Sequence, residues 1–470
     1  MKTIPIKPAE TKEIEQSLYV ARKKIYARSV TGKFATLRWA AVWLTQAVFY
    51  GLPWLMWNDR QAVLFDLEAR KFHIFGLVFW PQDFIYLTGL LVIMALSLFL
   101  FTALAGRVFC GYACPQTVYT EIFMWIERKI EGDRAARMRL DNEPMSARKF
   151  ALKSAKHASW IAVAAWTGFT FVGYFTPIRS LAHHIAAFAL GPWQTFWIFF
   201  YSFATYGMAG HMREQVCKYM CPYARFQSSM FDKDTMIITY DAERGEPRGA
   251  RSKKADPKAL GLGSCVDCGL CVQVCPTGID IRNGLQYECI ACAACVDTCN
   301  EVMGKLGYEK GLVRYTTQFG MLNKLDTRAI LHRVLRMRTL IYISILLAIV
   351  FAAALSLAFR TPLKVDVIRD RGMPRIVENG AIENVYRLQV MNTDERPHRY
   401  VIEVSGANGI TVSSEPTFEM PAATTKAIPV RVQVQPNALE VGSNQIRFVV
   451  RDADGSGISV TEKAVFLVPR

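Results

Sequence analysis

Two cysteine runs between Cys265 and Cys299 constrain this chain more than any other feature. The first run has the spacing C-x2-C-x2-C-x3-C-P and contains Cys265, Cys268, Cys271 and Cys275. The second run repeats that spacing, with Asn300 in place of the proline, and contains Cys289, Cys292, Cys295 and Cys299. This spacing is typical of two [4Fe-4S] clusters, in which each run gives three thiolates to one cluster and its fourth cysteine to the other.

The spacing therefore predicts which cysteines share a cluster. Cluster one is expected on Cys265, Cys268, Cys271 and Cys299, and cluster two on Cys289, Cys292, Cys295 and Cys275. A pair of zinc sites is the alternative, because two C-x2-C pairs can also form a tetrahedral thiolate site. The identical recurrence of the third and fourth cysteines in both runs favours the clusters.

Long apolar runs predict a membrane domain. Each run has roughly the 17 to 25 residues that cross a hydrocarbon core as a helix. The five runs are Trp39–Trp57, Phe84–Ala105, Ala158–Thr176, Ile185–Gly210 and Leu340–Phe359. The expected fold is therefore multi-domain, with an α-helical membrane domain of five spans.

The charge distribution indicates an orientation. The net charge is +16, but the basic residues gather in alternate loops rather than in one patch, so we do not expect nucleic acid as a partner. The tail before the first run and the loop around residues 128–156 are both basic. The positive-inside rule then places the N-terminus and the cluster stretch in the cytoplasm, and the C-terminus outside.

Composition changes along the chain give the domain boundaries. We expect a basic cytoplasmic tail at 1–35 that lies along the inner leaflet, a four-span membrane domain at 36–230, a polar linker at 231–262, a cytoplasmic α+β ferredoxin-like insertion at 263–338, a fifth transmembrane helix at 339–360, and a periplasmic all-β immunoglobulin-like sandwich at 361–470. Short alternating segments separated by turn residues predict the sandwich.

The remaining four cysteines form two C-x3-C-P motifs, Cys110 with Cys114 and Cys217 with Cys221. If the helix continues through the first motif, its two cysteines share one helix face. We expect the four sulfurs to converge as a soft-metal site or as a reversible dithiol couple. The alternative is that they are buried thiols that pack as small apolar groups. None of the seven histidines has a mid-span partner suited to haem, so no haem is expected.

The ensemble of these motifs resembles the cytochrome c oxidase accessory proteins of the FixG/CcoG group. The resemblance rests on RQAVLFDL, FWPQDF, LAGRVFCGYACPQTV, the RGEPRG segment, the double cysteine run, GYEKGLVRYTT and the immunoglobulin-like tail. It implies a multi-pass protein of the bacterial inner membrane that reduces Cu(II) to Cu(I), as a cupric reductase, for the copper site of a haem-copper oxidase. Copper would then be a substrate, and Cys110, Cys114, Cys217 and Cys221 its candidate ligands.

The same resemblance implies several partners, and it leaves two rival functions open. The expected partners are a cytoplasmic electron donor, copper chaperones, haem-copper oxidase subunits and the lipid bilayer. The oligomeric state stays open, with a homodimer as one option. The rivals are a quinol-linked membrane electron-transfer subunit and a non-enzymatic scaffold for oxidase assembly.

Overall fold

The computed structural model describes residues 24–469, apart from 253–255, 257–258, 371, 373, 378–379, 407, 436–437 and 456. The described chain divides into two units, each assembled from segments that are distant in sequence. Unit one contains residues 24–46, 97–167 and 199–342. Unit two contains residues 47–96, 168–198 and 343–469.

Helices make up most of unit one and the apolar part of unit two. In chain order they are α1 (Lys33–Gly51), α2 (Phe84–Ala105), α3 (Val108–Tyr112), α4 (Pro115–Glu131), α5 (Arg134–Asn142), α6 (Ala147–Val172), α7 (Ile178–Ala186), α8 (Pro192–Thr205), α9 (Pro222–Ser229), α10 (Ala242–Gly245), α11 (Leu270–Gln273), α12 (Ala294–Leu306), α13 (Gln318–Leu322), α14 (Thr327–Val334) and α15 (Met337–Ala358). Two π-helical segments, Tyr206–Met212 and Val216–Met220, lie between α8 and α9.

Two of the described helical segments are long and apolar enough to cross a membrane. They are Pro81–Ala105, with mean hydropathy 2.5, and Met337–Ala358, with mean hydropathy 2.7, and neither is buried by the rest of the protein. They coincide with the second and fifth predicted spans. The prediction of five spans is therefore not confirmed, and it is taken up again below as a proposal.

The other three predicted spans have different bounds from those expected. The first run does not remain α-helical to Trp57, because α1 ends at Gly51 and a 3-10 turn that contains Pro53 follows at Leu52–Trp54. The prediction of one helix over Ile185–Gly210 is wrong, since α7 ends at Ala186 and Pro192 begins α8. The third run belongs to α6, which starts earlier and ends at Val172.

A small sheet in unit one begins inside the segment predicted as a linker. Strand β6 (Ile237–Tyr240) pairs antiparallel with β7 (Val313–Thr316), and Ile238 lies opposite Tyr315. The boundary at 262 is therefore wrong, because residues before it form part of the same sheet as residues after the cysteine runs. Helices α11 and α12 carry the cysteine runs and pack on this sheet through apolar side chains such as Val296 and Met303.

The described part of the basic tail binds protein groups. The backbone N–H of Arg28 donates to the carbonyl of Gln273, 2.8 Å away. Lys24 forms a 2.7 Å ion pair with Asp141. Residues 24–32 thus bond to other parts of the protein, and the expectation that the tail lies along the inner leaflet stays a prediction; residues 1–23 lie outside the described part of the chain.

Unit two contains the predicted immunoglobulin-like sandwich. Its strands are β8 (Leu363–Arg369), β9 (Arg375–Ile376), β10 (Ile382–Asn392), β11 (His398–Ser405), β12 (Thr411–Val412), β13 (Thr417–Met420), β14 (Thr425–Val434), β15 (Gly442–Asp452) and β16 (Ser459–Val468). One sheet has the order β12-β14-β10-β8, with β9 on β10, and the other has the order β13-β11-β15-β16. Alternate residues such as Leu388, Val430, Ile402 and Phe448 fill the core between the sheets.

The segment after α1 in unit two folds as short strands. They are β1 (Met56–Trp57), β2 (Arg60–Gln61), β3 (Val63–Asp66), β4 (Lys71–Ile74) and β5 (Leu77–Phe79), and β3 to β5 form an antiparallel meander. The hairpin β1–β2 and the turn after β5 contact the C-terminal part of unit two through hydrogen bonds and ion pairs. Glu395 accepts hydrogen bonds from Trp57, Asn58 and Arg60, and Asp83 pairs with Arg360 and Lys364.

Candidate iron–sulfur and thiol site

The eight cysteines of the two runs line two cavities in unit one. The first cavity is lined by Cys265, Cys268, Cys271 and Cys299. The second is lined by Cys275, Cys289, Cys292 and Cys295, and Cys271 also borders it. Each cavity thus takes its fourth cysteine from the other run.

Helix geometry explains this exchange. Cys295 and Cys299 lie four residues apart on α12, so they are neighbours along one helix face, one turn apart. Helix α12 therefore presents one thiol to one cavity and the next thiol to the other. Cys271 lies on α11, and Cys275 follows two residues after that helix ends.

The backbone of the two runs repeats an unusual conformation. Positive φ angles occur at matching positions, 50° at Asp267 and 54° at Ala291, then 65° at Gly269 and 57° at Ala293. Left-handed residues in such loops turn successive N–H groups inward and create a concave site for anions. A thiolate-bound iron–sulfur cluster is anionic, so both loops fit a [4Fe-4S] group in shape and in donor chemistry.

Burial disfavours the thiolate form of the deeper cysteines in these cavities. Desolvation raises the pKa of Cys271 to about 11 and that of Cys299 to about 12. Iron would have to displace these protons on binding. Within the described residues, no group of three or more His, Cys, Asp or Glu side chains is arranged to hold one metal ion. A cubane spreads its four ligands over four iron atoms, so a single-ion arrangement is not what it requires.

The two C-x3-C-P motifs end in the same local structure. Cys110 lies in α3, which ends at Tyr112, and Cys114 directly precedes the proline that begins α4. Cys217 lies in the second π-helical segment, and Cys221 directly precedes the proline that begins α9. The helix does not continue through the first motif, so its two cysteines do not share one helix face. Proline favours the first position of a helix, which explains why each motif ends in a chain turn.

The two motifs come together although they are far apart in sequence. Cys217 interacts electrostatically with Cys110, Cys114 and Cys221. The thiol of Cys110 donates to the side-chain oxygen of Gln227 on α9, at 3.4 Å. The convergence places all four sulfurs in one region of unit one.

The first motif also contacts the second cavity. Cys110 packs with Ile290, Cys292 and Cys295 in one apolar cluster. A Cβ added at Gly111 would lie 2.6 Å from the Ile290 carbonyl oxygen and 3.0 Å from the Cα of Cys292. The cysteine loop therefore rests directly on the backbone of α3.

Two buried arginines lie beside the second cavity, and the sequence did not identify them as part of the site. Arg38 was counted with the basic tail, but only 5% of it is exposed, and it pairs with Glu121 of α4 at 3.8 Å. Arg107 is 3% exposed and donates to the carbonyl of Tyr287. A charged residue within an otherwise apolar helix is the signal that could have revealed Arg38.

Comparisons with known proteins agree with this architecture. Residues 212–318 match a family described as a 4Fe-4S dicluster domain, and residues 87–132 match one described as a 4Fe-4S binding domain. Residues 353–469 match the IG-like fold at the C-terminus of FixG, which confirms the predicted immunoglobulin-like sandwich. The stretch 87–132 contains Cys110 and Cys114 but none of the eight cysteines of the runs.

Three curated relatives cover most of the chain. The nitrogen fixation protein FixG of Rhizobium meliloti is 38% identical over 427 residues, which are 84% of this chain and 82% of the relative. Protein RdxA of Cereibacter sphaeroides is 37% identical over 86% of both chains. Protein RdxB of the same organism is 38% identical over 85% of both chains. The chain therefore belongs to the FixG family and is an iron–sulfur electron-transfer protein of the FixG/RdxA type.

Proposed function

We propose that this protein is a membrane cupric reductase that supplies Cu(I) during the maturation of a haem-copper oxidase. Its first cavity, with Cys265, Cys268, Cys271 and Cys299, and its second cavity, with Cys275, Cys289, Cys292 and Cys295, would each hold one [4Fe-4S] cluster. When bound, these clusters supply one-electron storage and transfer at low potential.

The contact between the second cavity and the first C-x3-C-P motif is the observation that carries this proposal. Cys268 is exposed, which gives a donor access to the first cavity, whereas Cys292 is buried against Cys110. Cys271 borders both cavities. The chain thus offers a continuous path of sulfur ligands from an exposed thiol to the convergent thiols.

Copper chemistry suits thiols at the end of that path. Soft thiolate ligands select Cu(I), so they favour the reduced ion over Cu(II). The reduction adds one electron to each Cu(II) and needs no proton at copper. The role of Cys110, Cys114, Cys217 and Cys221 is therefore to bind copper while it is reduced.

We further propose five membrane spans, with the N-terminus and the cysteine runs in the cytoplasm and the sandwich in the periplasm. Support comes from the two apolar helices, α2 and α15, and from the basic residues at the start of α15. The partners in this arrangement are a cytoplasmic electron donor, copper chaperones, haem-copper oxidase subunits and the lipid bilayer. An alkaline phosphatase fusion at Arg470 should be active, and an inactive fusion would contradict the orientation.

The test of cupric reduction uses the purified protein under anaerobic conditions. After reduction and removal of the reductant, Cu(II) is added with a Cu(I)-specific chelator, and the iron–sulfur absorbance is followed against Cu(I) formed. We expect reoxidation with one Cu(I) per electron. Clusters that stay reduced would contradict the proposal and favour the assembly scaffold.

A matched pair of variants locates the copper site. Cys217→Ser should lower the yield of Cu(I) at least tenfold with unchanged iron content, because Cys217 lies outside the apolar cluster around Cys292. Cys268→Ser should instead lower the iron content itself. If Cys217→Ser reduces copper at the normal rate, the convergent thiols are not the copper site.

One cavity favours a quinol-linked rival as the second candidate function. It has a volume of about 400 Å³ in unit one, and His157, Trp160 and His211 form its aromatic end. The rings of His157 and His211 stack with centroids 5.9 Å apart, and the Tyr206 hydroxyl lies 3.0 Å from Nδ1 of His157. Oxidation of a quinol releases two protons that such histidines could accept. Rapid reduction of the clusters by a quinol analogue, lost in His157→Ala, would favour this rival.

A further inference from the structure

Arg38 occupies an unexpected place for a charged residue near a membrane helix. It lies in the second turn of α1, whose neighbouring residues Trp43 and Leu44 are 70% and 67% exposed, whereas Arg38 is 5% exposed. A buried charge is costly unless opposite charge and hydrogen bonds compensate it. The groups around Arg38 should therefore reveal what it serves.

Those groups belong to α4 and to the second cysteine cavity. Arg38 shares a small cleft with Glu121, Val274 and Pro276, and the last two flank Cys275. Its guanidinium also donates a hydrogen bond to the thiol of Cys292. Arg38 thus interacts with Cys292 and lies beside the two neighbours of Cys275.

The carboxylate of Glu121 only partly neutralises Arg38. The closest approach of the two side chains, from Nη2 to Oε1, is 3.8 Å, which is too long for a hydrogen bond. The buried Nε of Arg38 has no hydrogen-bond partner within the described structure. Arg38 also interacts with Cys292 more strongly than Glu121 does. The positive end of this ion pair therefore faces the cysteine.

The first cavity has a different electrostatic environment. Its nearest cation, Arg282, is held by Asp280 at 2.7 Å and by Asp267, so two carboxylates offset one guanidinium. Cys268 is exposed there, and water screens charges near an exposed thiol. The second cavity is buried, so a charge beside it acts through a lower effective dielectric constant.

We propose that Arg38 is a positioning residue for electron transfer. Its charge raises the reduction potential of cluster two, which is bound by Cys275, Cys289, Cys292 and Cys295, above the reduction potential of the cluster at the exposed Cys268. This rests on the cluster assignment under the proposed function. Adding one electron makes an iron–sulfur cluster more negative, and a nearby cation stabilises that reduced form. Electrons that enter at Cys268 from a low-potential one-electron donor would then move preferentially to the cluster beside Cys110.

Charge variants at this ion pair test the proposal by the sign of their effects. The midpoint potential of each cluster is measured in the full-length protein by an anaerobic redox titration followed by electron paramagnetic resonance. We expect Arg38→Gln to lower the potential of cluster two and Glu121→Gln to raise it, with cluster one unchanged. Arg38→Lys should recover most of the wild-type value, because the charge is retained.

Two further variants keep the test decisive if a single variant folds poorly. The double variant Arg38→Gln with Glu121→Gln leaves no unpaired buried charge, and its potential should lie between those of Arg38→Gln and the wild type. Arg282→Gln is the matched control, and it should shift cluster one alone. A loss of one signal in Cys268→Ser identifies which signal belongs to the exposed cluster.

The outcomes separate this inference from the function it rests on. Equal shifts of the same sign in Arg38→Gln and Glu121→Gln, or no shift in either, would overturn the role of Arg38. A wild-type protein with a single cluster signal would instead overturn the proposed cluster assignment.

Discussion

At the scale of single residues, Gly111 shows how closely two parts of unit one approach each other. Its missing side chain leaves room for the backbone of Ile290 and Cys292, which a Cβ would meet at 2.6 to 3.0 Å. We expect Gly111→Ala to push the cysteine loop away and to lower the iron content of the purified protein by about one cluster. Gly89→Ala is the control, because nothing lies within 4 Å of its Cβ position. Full iron content in Gly111→Ala would show that the loop can shift.

His73 gives unit two a dependence on pH. Burial, with Arg60 and Lys71 nearby, lowers the pKa of His73 from 6.5 to about 4. The folded state thus holds a neutral ring that the unfolded chain protonates first, so stability present above pH 6.5 is lost as the pH falls towards 4. The rate of backbone hydrogen exchange in β3–β5, corrected for intrinsic rates, should rise as the pH is lowered from 7 to 5. His73→Gln should flatten that dependence, and an unchanged pH profile in this variant would exclude His73 as its source.

The sequence predicted the grouping of the cysteines but not the partners of two charged residues. The grouping of the cysteines follows from spacing, because the repeated run is typical of two clusters that exchange their fourth ligands. The roles of Arg38 and Asp297 do not follow from spacing, since their partners are distant in the chain and only tertiary packing brings them together. From the sequence alone, a charged residue near the start of an apolar run is equally compatible with a contact to a lipid headgroup.

At the scale of elements, α1 begins on a side chain from the cysteine domain. The carboxylate of Asp297 on α12 accepts hydrogen bonds from the backbone N–H groups of Phe34, at 3.2 Å, and Ala35, at 2.7 Å. These are among the N–H groups that a helix start leaves without partners. Asp297 therefore acts as an N-cap supplied by a distant element.

Removal of that cap should loosen the start of α1. We expect Asp297→Ala to cost about 1 kcal/mol and to speed hydrogen exchange at residues 34–36. Asp297→Asn keeps a side-chain oxygen and should have a smaller effect. If exchange at these amides stays slow in Asp297→Ala, other contacts hold the helix start.

Element boundaries were less predictable than element types. Hydropathy averaged over Ile185–Gly210 hides the break at Gly191 and Pro192, where proline starts a new helix. The strands of the sandwich were easier, because buried and exposed residues alternate along β10 and β14 with a period of two. A helix does not continue through Cys110 and Cys114 for the same reason that it breaks in Ile185–Gly210, since Pro115 starts α4.

At the scale of the whole molecule, a half-buried cluster around Glu395 joins the sandwich to the hairpin β1–β2 within unit two. Glu395, in the loop before β11, accepts hydrogen bonds from Trp57 and Asn58, both at 3.0 Å, and pairs with Arg60. We expect Glu395→Ala to cost roughly 2 kcal/mol locally, because three donors lose a charged acceptor. Hydrogen exchange at residues 56–61 should rise.

A comparable surface ion pair provides the control for this prediction. Glu403 pairs with Arg451, and both side chains are about half exposed. Glu403→Ala should leave exchange nearly unchanged, because exposed pairs contribute little to stability. Equal effects of the two variants would mean that Glu395 is an ordinary surface residue.

The exchange of fourth cysteines between the two runs has a consequence for how the protein matures. Because α12 presents Cys295 to one cavity and Cys299 to the other, neither inorganic centre can be completed until both halves of the domain have folded around the same helix. A chain loaded with a single centre would leave the four thiols of the other cavity open to oxidation. Filling of either cavity fixes α12 in place, so it should favour filling of the other cavity in the wild-type chain.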